Sequence, residues 1–129
     1  MSYVRPGFVT RRILNPMVMR IGAAWALTVP GRKSGQPRTV PVNVLDVGGE
    51  RYLVAPRGNT DWARNLRAAG EGELRRRGRR ERFRASEVPV EQRQPLIDAY
   101  LERWGNVTRS LFEQLPDPAD HPVFRIEQA

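Results

Sequence analysis

Between residues 25 and 55 three strand-forming runs follow one another with only turns between them, and this restricts the fold more than any other feature. "WALTV" (25–29), "RTVPVNVLDV" (38–47) and "ERYLVA" (50–55) are rich in β-branched and aromatic residues. Gly48-Gly49 is a two-residue hairpin turn, because both positions can take positive φ at little steric cost. Parallel neighbours would need crossovers of a dozen or more residues, so these runs pair antiparallel and a βαβ alternation is excluded. Pro41 lacks an N–H, which puts its run at an edge, at a bulge, or where the backbone faces a ligand.

The remaining elements follow from periodicity and punctuation. Thr60 is a good N-cap for a helix over 61–69, with Asp61 at its positive end and Trp62, Leu66 and Ala69 as the buried stripe. Gly70 and Gly72 close it. Residues 73–88 form a second hairpin turning near Gly78. A helix from about Glu91 carries Leu96, Ile97, Tyr100, Leu101 and Trp104, with Pro95 near its first turn and Gly105 at its end; a shorter helical segment covers 107–115. "VFRIE" (123–127) is the last strand. Upstream, Asn15-Pro16 starts a short helix through Ile21, within an N-terminal helical segment over 1–22. The expected fold is α+β and mainly antiparallel β: one domain over 1–129, a barrel of about six strands with helices packed outside.

Composition removes several chemistries. With no Cys there is no disulfide, thiolate metal site or Cys nucleophile. His121 is the only histidine, no carboxylate cluster accompanies it, and no metal site is expected; it reads as a turn residue starting the last strand. No G-x-S-x-G is present, and "GEGELR" has Arg75 where a dinucleotide fingerprint needs its third Gly. No apolar run approaches the ~18 residues of a membrane span, and no signal-peptide pattern is read at the N-terminus, which fits a cytoplasmic protein. The net charge of +8 points to anionic partners.

Two loops stand out. "VPGRKSGQPR" (29–38) holds the only lysine. Gly31 and Gly35 let the backbone present N–H groups in a concave nest. Arg32 and Arg38 offer forked donors, Lys33 a point charge and Ser34 a hydroxyl, while Pro30 and Pro37 stiffen the ends. The set suits a phosphorylated ligand; a solvated basic turn has the same composition. In "APRGNTDWARNL" (55–66), Arg57 and the following helix start make a second anion-favouring corner. Trp62 either walls a planar ring or fills the core. Asn65, beside the apolar stripe, either braces a neighbouring loop or meets ligand. The Arg-rich hairpin "RRRGRRERFR" reads first as a solvated outer face, with a membrane or cofactor role as the next reading. Nucleic acid is disfavoured there, since Phe83 is its only aromatic.

The runs "VPGRKSGQPRTVPV", "RYLVAPRGNTDWARNLRAAG" and the closing "HPVF" resemble the deazaflavin-dependent nitroreductase family over about residues 12–126. The resemblance implies a split β-barrel related to FMN-binding proteins and coenzyme F-420 as cofactor, with FMN the weaker candidate. It implies that Arg32, Lys33, Ser34, Gly35 and Arg38 hold the cofactor's phosphate and anionic tail. Pro41 and Val42 line the ring, Ala55, Pro56, Arg57 and Gly58 contact the cofactor, and Trp62 and Asn65 match the W-x-x-N-L motif. The implied activity is hydride transfer from the reduced cofactor to an electron-poor acceptor: a quinone, an enone or a nitroaromatic. Where family members carry several C-terminal tyrosines this chain has only Tyr100, which is thus the candidate proton donor or substrate contact, although it also fits the apolar stripe of its helix. Ile13, Leu14, Met17 and Val18 beside Arg11, Arg12 and Arg20 either cover the barrel or rest peripherally on the inner face of a membrane. Exposed strand edges allow a monomer or a homodimer. A deazaflavin carrier without turnover and an Arg-rich nucleic-acid module are the alternatives.

Overall fold

A computed structural model describes residues 24–129; the N-terminal helix expected upstream, and the segment expected either to cover the barrel or to rest on a membrane, lie outside the described residues. Seven strands form one sheet: β1 (Trp25–Pro30), β2 (Pro37–Val42), β3 (Leu45–Val47), β4 (Glu50–Val54), β5 (Glu71–Arg76), β6 (Arg79–Glu87) and β7 (Val123–Gln128). Two α-helices accompany them, α1 (Asp61–Ala69) and α2 (Gln94–Gln114). The strand order is β2-β1-β5-β6-β7-β4-β3, and every pairing is antiparallel.

The two margins of this sheet are consecutive in the chain. The run expected as one strand over 38–47 is broken at Asn43-Val44: its first part pairs with β1 and its second with β4. One nearly continuous segment therefore supplies both edges, and the sheet must curl to bring its margins together. The break raises the strand number from about six to seven. Pro41 sits opposite Ala26 in edge strand β2, where a missing N–H is tolerated.

The barrel interior is filled by Leu27, Val29, Leu53, Leu74, Phe83 and Phe124, and α1 adds Ala63 and Leu66. A second cluster packs Ile97, Tyr100 and Phe112 of α2 against Leu45, Val54 and Val123. In α1 the buried stripe is centred on Ala63, Asn65 and Leu66; Trp62 and Ala69 are half-buried. Thr60 has the extended backbone of an N-cap, but its hydroxyl makes no cap bond and is buried without a partner. Gly70 ends α1 at φ 72, its N–H bonded to Leu66 O at 2.7 Å. Gly72 lies in β5, opposite Phe83, instead of closing the helix; a Cβ there would come within 2.9 Å of Phe83 Cζ and 3.1 Å of Thr28 O, so the strand has room only for glycine. The β5–β6 turn is Arg77-Gly78, both at positive φ. Within α2 the two helical pieces expected after residue 91 are both present, meeting at a kink where Trp104 has non-helical backbone (φ −127, ψ 19), one residue before the expected break.

A partly buried ion network joins α1, β6 and the start of α2. The Glu87 carboxylate accepts from Arg67 Nε and Nη2 at 2.7 and 2.8 Å and from Arg93 Nη2 at 3.1 Å. Arg93, 6% exposed, also donates to the carbonyls of Val88, Pro118 and His121. No described helix is long and apolar enough to cross a membrane.

Candidate functional site

The loop between β1 and β2 is tightly built. Gly31 N–H donates to Gln36 O and Gly35 N–H to Gly31 O, both at 2.8 Å, and Gln36 N–H donates to Ser34 Oγ at 3.1 Å. Gly35 has φ 74, which a larger residue adopts only with strain. Arg32 fastens the loop to α1: its backbone N–H and Nη1 both donate to Asn65 Oδ1, at 3.0 and 2.8 Å, and Nη2 reaches Asp61 Oδ1 at 3.4 Å. Asn65 thus braces the loop, one of the two roles open to it from sequence. The Arg32 guanidinium takes part in that brace while the residue stays exposed. Lys33, Ser34, Gly35 and Arg38 are exposed, and among the described residues neither Lys33 nor Arg38 has a carboxylate partner. Asn65→Ala should remove one acceptor from two donors and cost about 1–3 kcal/mol. The check is a lower melting temperature with faster hydrogen exchange at the Arg32 amide.

The second loop leads into the first turn of α1, so both loops converge on that turn. Ala55 is wholly buried: its N–H donates to Pro122 O at 2.9 Å, and its carbonyl faces Gly58 N–H at 3.2 Å and His121 Nδ1 at 2.9 Å. Gly58 is buried at φ 100. Pro56 and Arg57 are half-buried. Trp62 meets Phe124 at a ring distance of 6.3 Å, which ties it to the core while leaving part of the ring open.

Arg57 lies near enough to Tyr100 for the two to influence each other electrostatically. Burial lowers the proton affinity of its guanidinium, and the nearby phenol works in the opposite direction. Arg57 has no hydrogen-bonded or ion-paired partner among the described residues. Tyr100 is 3% exposed; burial raises its pKa, against smaller opposing effects of the Asn43 amide and Arg57. Asn43 Nδ2 lies 3.5 Å from the Tyr100 hydroxyl, while Asn43 Oδ1 is buried with no partner. Pro41 is half-buried and Val42, at 9%, belongs to the barrel core. The break between β2 and β3, the 55–58 loop and α2 therefore meet at one polar corner: Asn43, Arg57 and Tyr100.

Sequence reasoning missed Asn43 and the position of His121. Asn43 did carry a signal, as a strand-disfavouring amide inside a β-branched run. His121 is not a surface turn residue. It is 0% exposed, stacked on Phe112 at 4.2 Å, with Nδ1 on Ala55 O and Nε2 on Leu115 O at 2.5 Å. Among the described residues no group of three or more His, Cys, Asp or Glu side chains is placed to hold a metal.

An F420-H2 dependent reductase, FDR-A, superposes with a TM-score of 0.61 at 22% identity, covering 81% of this chain and 94% of its own. HutZ, the heme storage protein of Vibrio cholerae, superposes at 0.56 with 14% identity, covering 90% of each chain. A chain described as a domain-swapped dimer superposes at 0.56 with 20% identity, covering 91% of this chain and 96% of its own. At these identities the likenesses establish the split-barrel fold and nothing more. No curated protein matches the chain. The family model for F420H(2)-dependent quinone reductase matches residues 11–112, a span that includes both loops, α1, the Asn43 break and Tyr100. That span places the chain in a family: it belongs to the F420H(2)-dependent quinone reductases, oxidoreductases whose cofactor is coenzyme F-420.

Proposed function

We propose that this protein binds reduced coenzyme F-420 through its two converging loops and reduces a small electron-poor acceptor, a quinone before an enone or a nitroaromatic. The observation that carries the reading is a braced loop presenting Lys33 and Arg38 with no carboxylate partner among the described residues. A rigid cationic loop loses little entropy on binding an anion. Lys33, Ser34, Gly35 and Arg38 would hold the phosphate and anionic tail, and Arg32 and Asn65 would position them. Pro41, Val42, Ala55, Pro56, Arg57, Gly58 and Trp62 would border the ring. FMN has no polyanionic tail to occupy so extended a cationic loop.

When bound, the cofactor supplies the hydride that a two-electron reduction of the acceptor requires. The acceptor oxygen then needs a proton. Tyr100 keeps its proton through the neutral range because burial disfavours the phenolate. Arg57 steadies the negative charge that develops as the proton leaves, and Asn43 orients the hydroxyl. A homodimer paired through sheet edges is the proposed assembly, in keeping with the domain-swapped dimer among the similar structures.

The test is a fluorescence titration with F-420 followed by an acceptor assay. The parent should bind F-420 at sub-micromolar levels and FMN poorly. Lys33→Ala/Arg38→Ala should bind about 100-fold more weakly, two charge-assisted contacts being lost. Menadione should oxidise the reduced cofactor, and Tyr100→Phe should lower kcat about 100-fold with F-420 affinity retained. F-420 binding without turnover would instead make the protein a carrier, and no F-420 binding at all would end the reading.

A further inference from the structure

The turn joining β5 to β6 is ringed by five arginines, Arg75, Arg76, Arg77, Arg79 and Arg80, around Gly78. The strand register sets Arg75 opposite Arg80 and Arg76 opposite Arg79. Like charges directly across an antiparallel pair destabilise it. None of the five has an ion-pair partner among the described residues. Three nearby carboxylates are engaged elsewhere, Glu81 by Arg51, Glu50 by Arg125 at 3.5 Å and Glu71 by Arg82 at 3.8 Å, while Glu73 on β5 forms no ion pair among the described residues. Arg75, Arg77, Arg79 and Arg80 are exposed, while the Arg76 guanidinium covers the half-buried Trp25 ring at 4.6 Å. The cluster does not extend the cationic loop of the candidate site. Arg75 pairs with Ala26 near the start of β1, whereas that loop follows Pro30 at its other end.

We propose that this hairpin tip docks the protein onto an anionic phospholipid surface. Strand alternation puts Arg75 and Arg80 on one face of the ribbon and Arg76 and Arg79 on the other, with Arg77 at the apex at φ 53. Charge therefore surrounds the tip and does not form a stripe along one face. A plane of headgroups receives such a tip end on, each basic residue adding to the attraction. Single-stranded nucleic acid asks for stacking rings along a groove. The only aromatic ring within the hairpin, Phe83, is wholly buried in the barrel. Trp25, at the same end as the tip, is a residue type favoured at the membrane–water interface. The docking is independent of what the cofactor loops bind. It would bring the enzyme beside the phase in which apolar quinones dissolve.

The experiment is co-sedimentation of the full chain with phosphatidylglycerol–phosphatidylcholine vesicles at about 3:7, and with pure phosphatidylcholine vesicles. The parent should sediment with the mixed vesicles only and should be released by high salt. Arg77→Asn/Arg79→Gln/Arg80→Gln should partition about 100-fold more weakly, each near-surface arginine being worth about fivefold. Its melting temperature should hold or rise as like-charge repulsion is relieved, and its F-420 titration should match the parent's. The proposal is overturned if the parent binds pure phosphatidylcholine equally well. It is equally overturned if the triple variant keeps full vesicle binding, or if a DNA duplex is bound more tightly than the mixed vesicles.

Discussion

Replacing His121 with Ala should remove about 3–5 kcal/mol of folding stability, the largest effect we expect of any single substitution described. The side chain is 0% exposed and contributes in two ways. It fills volume and stacks on Phe112, and its ring nitrogens face the carbonyls of Ala55 and Leu115. Truncation leaves a cavity and removes the ring's polar contacts with these carbonyls. His121→Phe separates these contributions: it keeps the ring and the stack but loses the contacts with both carbonyls, of which Ala55 O still accepts from Gly58 N–H, and should cost about 1–3 kcal/mol. Urea denaturation of the pair measures both. A loss under 1 kcal/mol for His121→Ala would mean that the end of α2 and the 55–58 loop are held by other contacts. Because Ala55 begins the 55–58 loop, both variants should also speed hydrogen exchange at Gly58, whose N–H bonds to the same carbonyl.

Glu87→Gln should cost about 3 kcal/mol, because it leaves Arg93 as a buried cation without its carboxylate. The effect should also depend on pH. The Glu87 pKa is held below the ordinary value of 4.5, chiefly by hydrogen bonds from Arg67 and further by the charges of Arg67 and Arg93, against the opposing effect of burial. Arg67 shows the reciprocal rise, led by its hydrogen bonds to Glu87. Arg93 is lowered by burial more than Glu87 raises it, so this guanidinium depends on its carboxylate. A carboxylate whose folded pKa lies below its unfolded pKa contributes stability that is complete above the unfolded value and is lost as pH falls through the folded one. The difference between parent and Glu87→Gln should therefore be greatest at neutral pH and shrink below pH 4.5. Denaturation midpoints for both proteins across the acid range are the measurement. A difference constant with pH would remove Glu87 ionisation from the account.

The elements legible from sequence are those set by neighbours a few residues away. Helix 61–69 ends at Ala69 because Gly70 follows and can take φ 72. The turns at Gly48-Gly49 and near Gly78 follow from the positive φ that a tight hairpin requires. The cationic loop and the W-x-x-N-L helix were likewise readable as local strings. What the tertiary structure alone decided depends on partners distant in the chain. Residues 38–47 look like one strand, yet they split at Asn43 because β1 and β4, at opposite margins of the sheet, each take one part. The last strand enters between β6 and β4, which its own alternation cannot specify. Arg32 and Lys33 are adjacent cations in the sequence, but Asn65, 33 residues on from Arg32, ties the first by hydrogen bonds and leaves the second without a carboxylate partner among the described residues. His121 has the local surroundings of a turn residue and becomes buried because Ala55 and Leu115 bring their carbonyls to its ring. Local chemistry determines where strands, turns and helices begin and end. Strand order, burial and the pairing of charges are settled only when the sheet curls and distant segments meet.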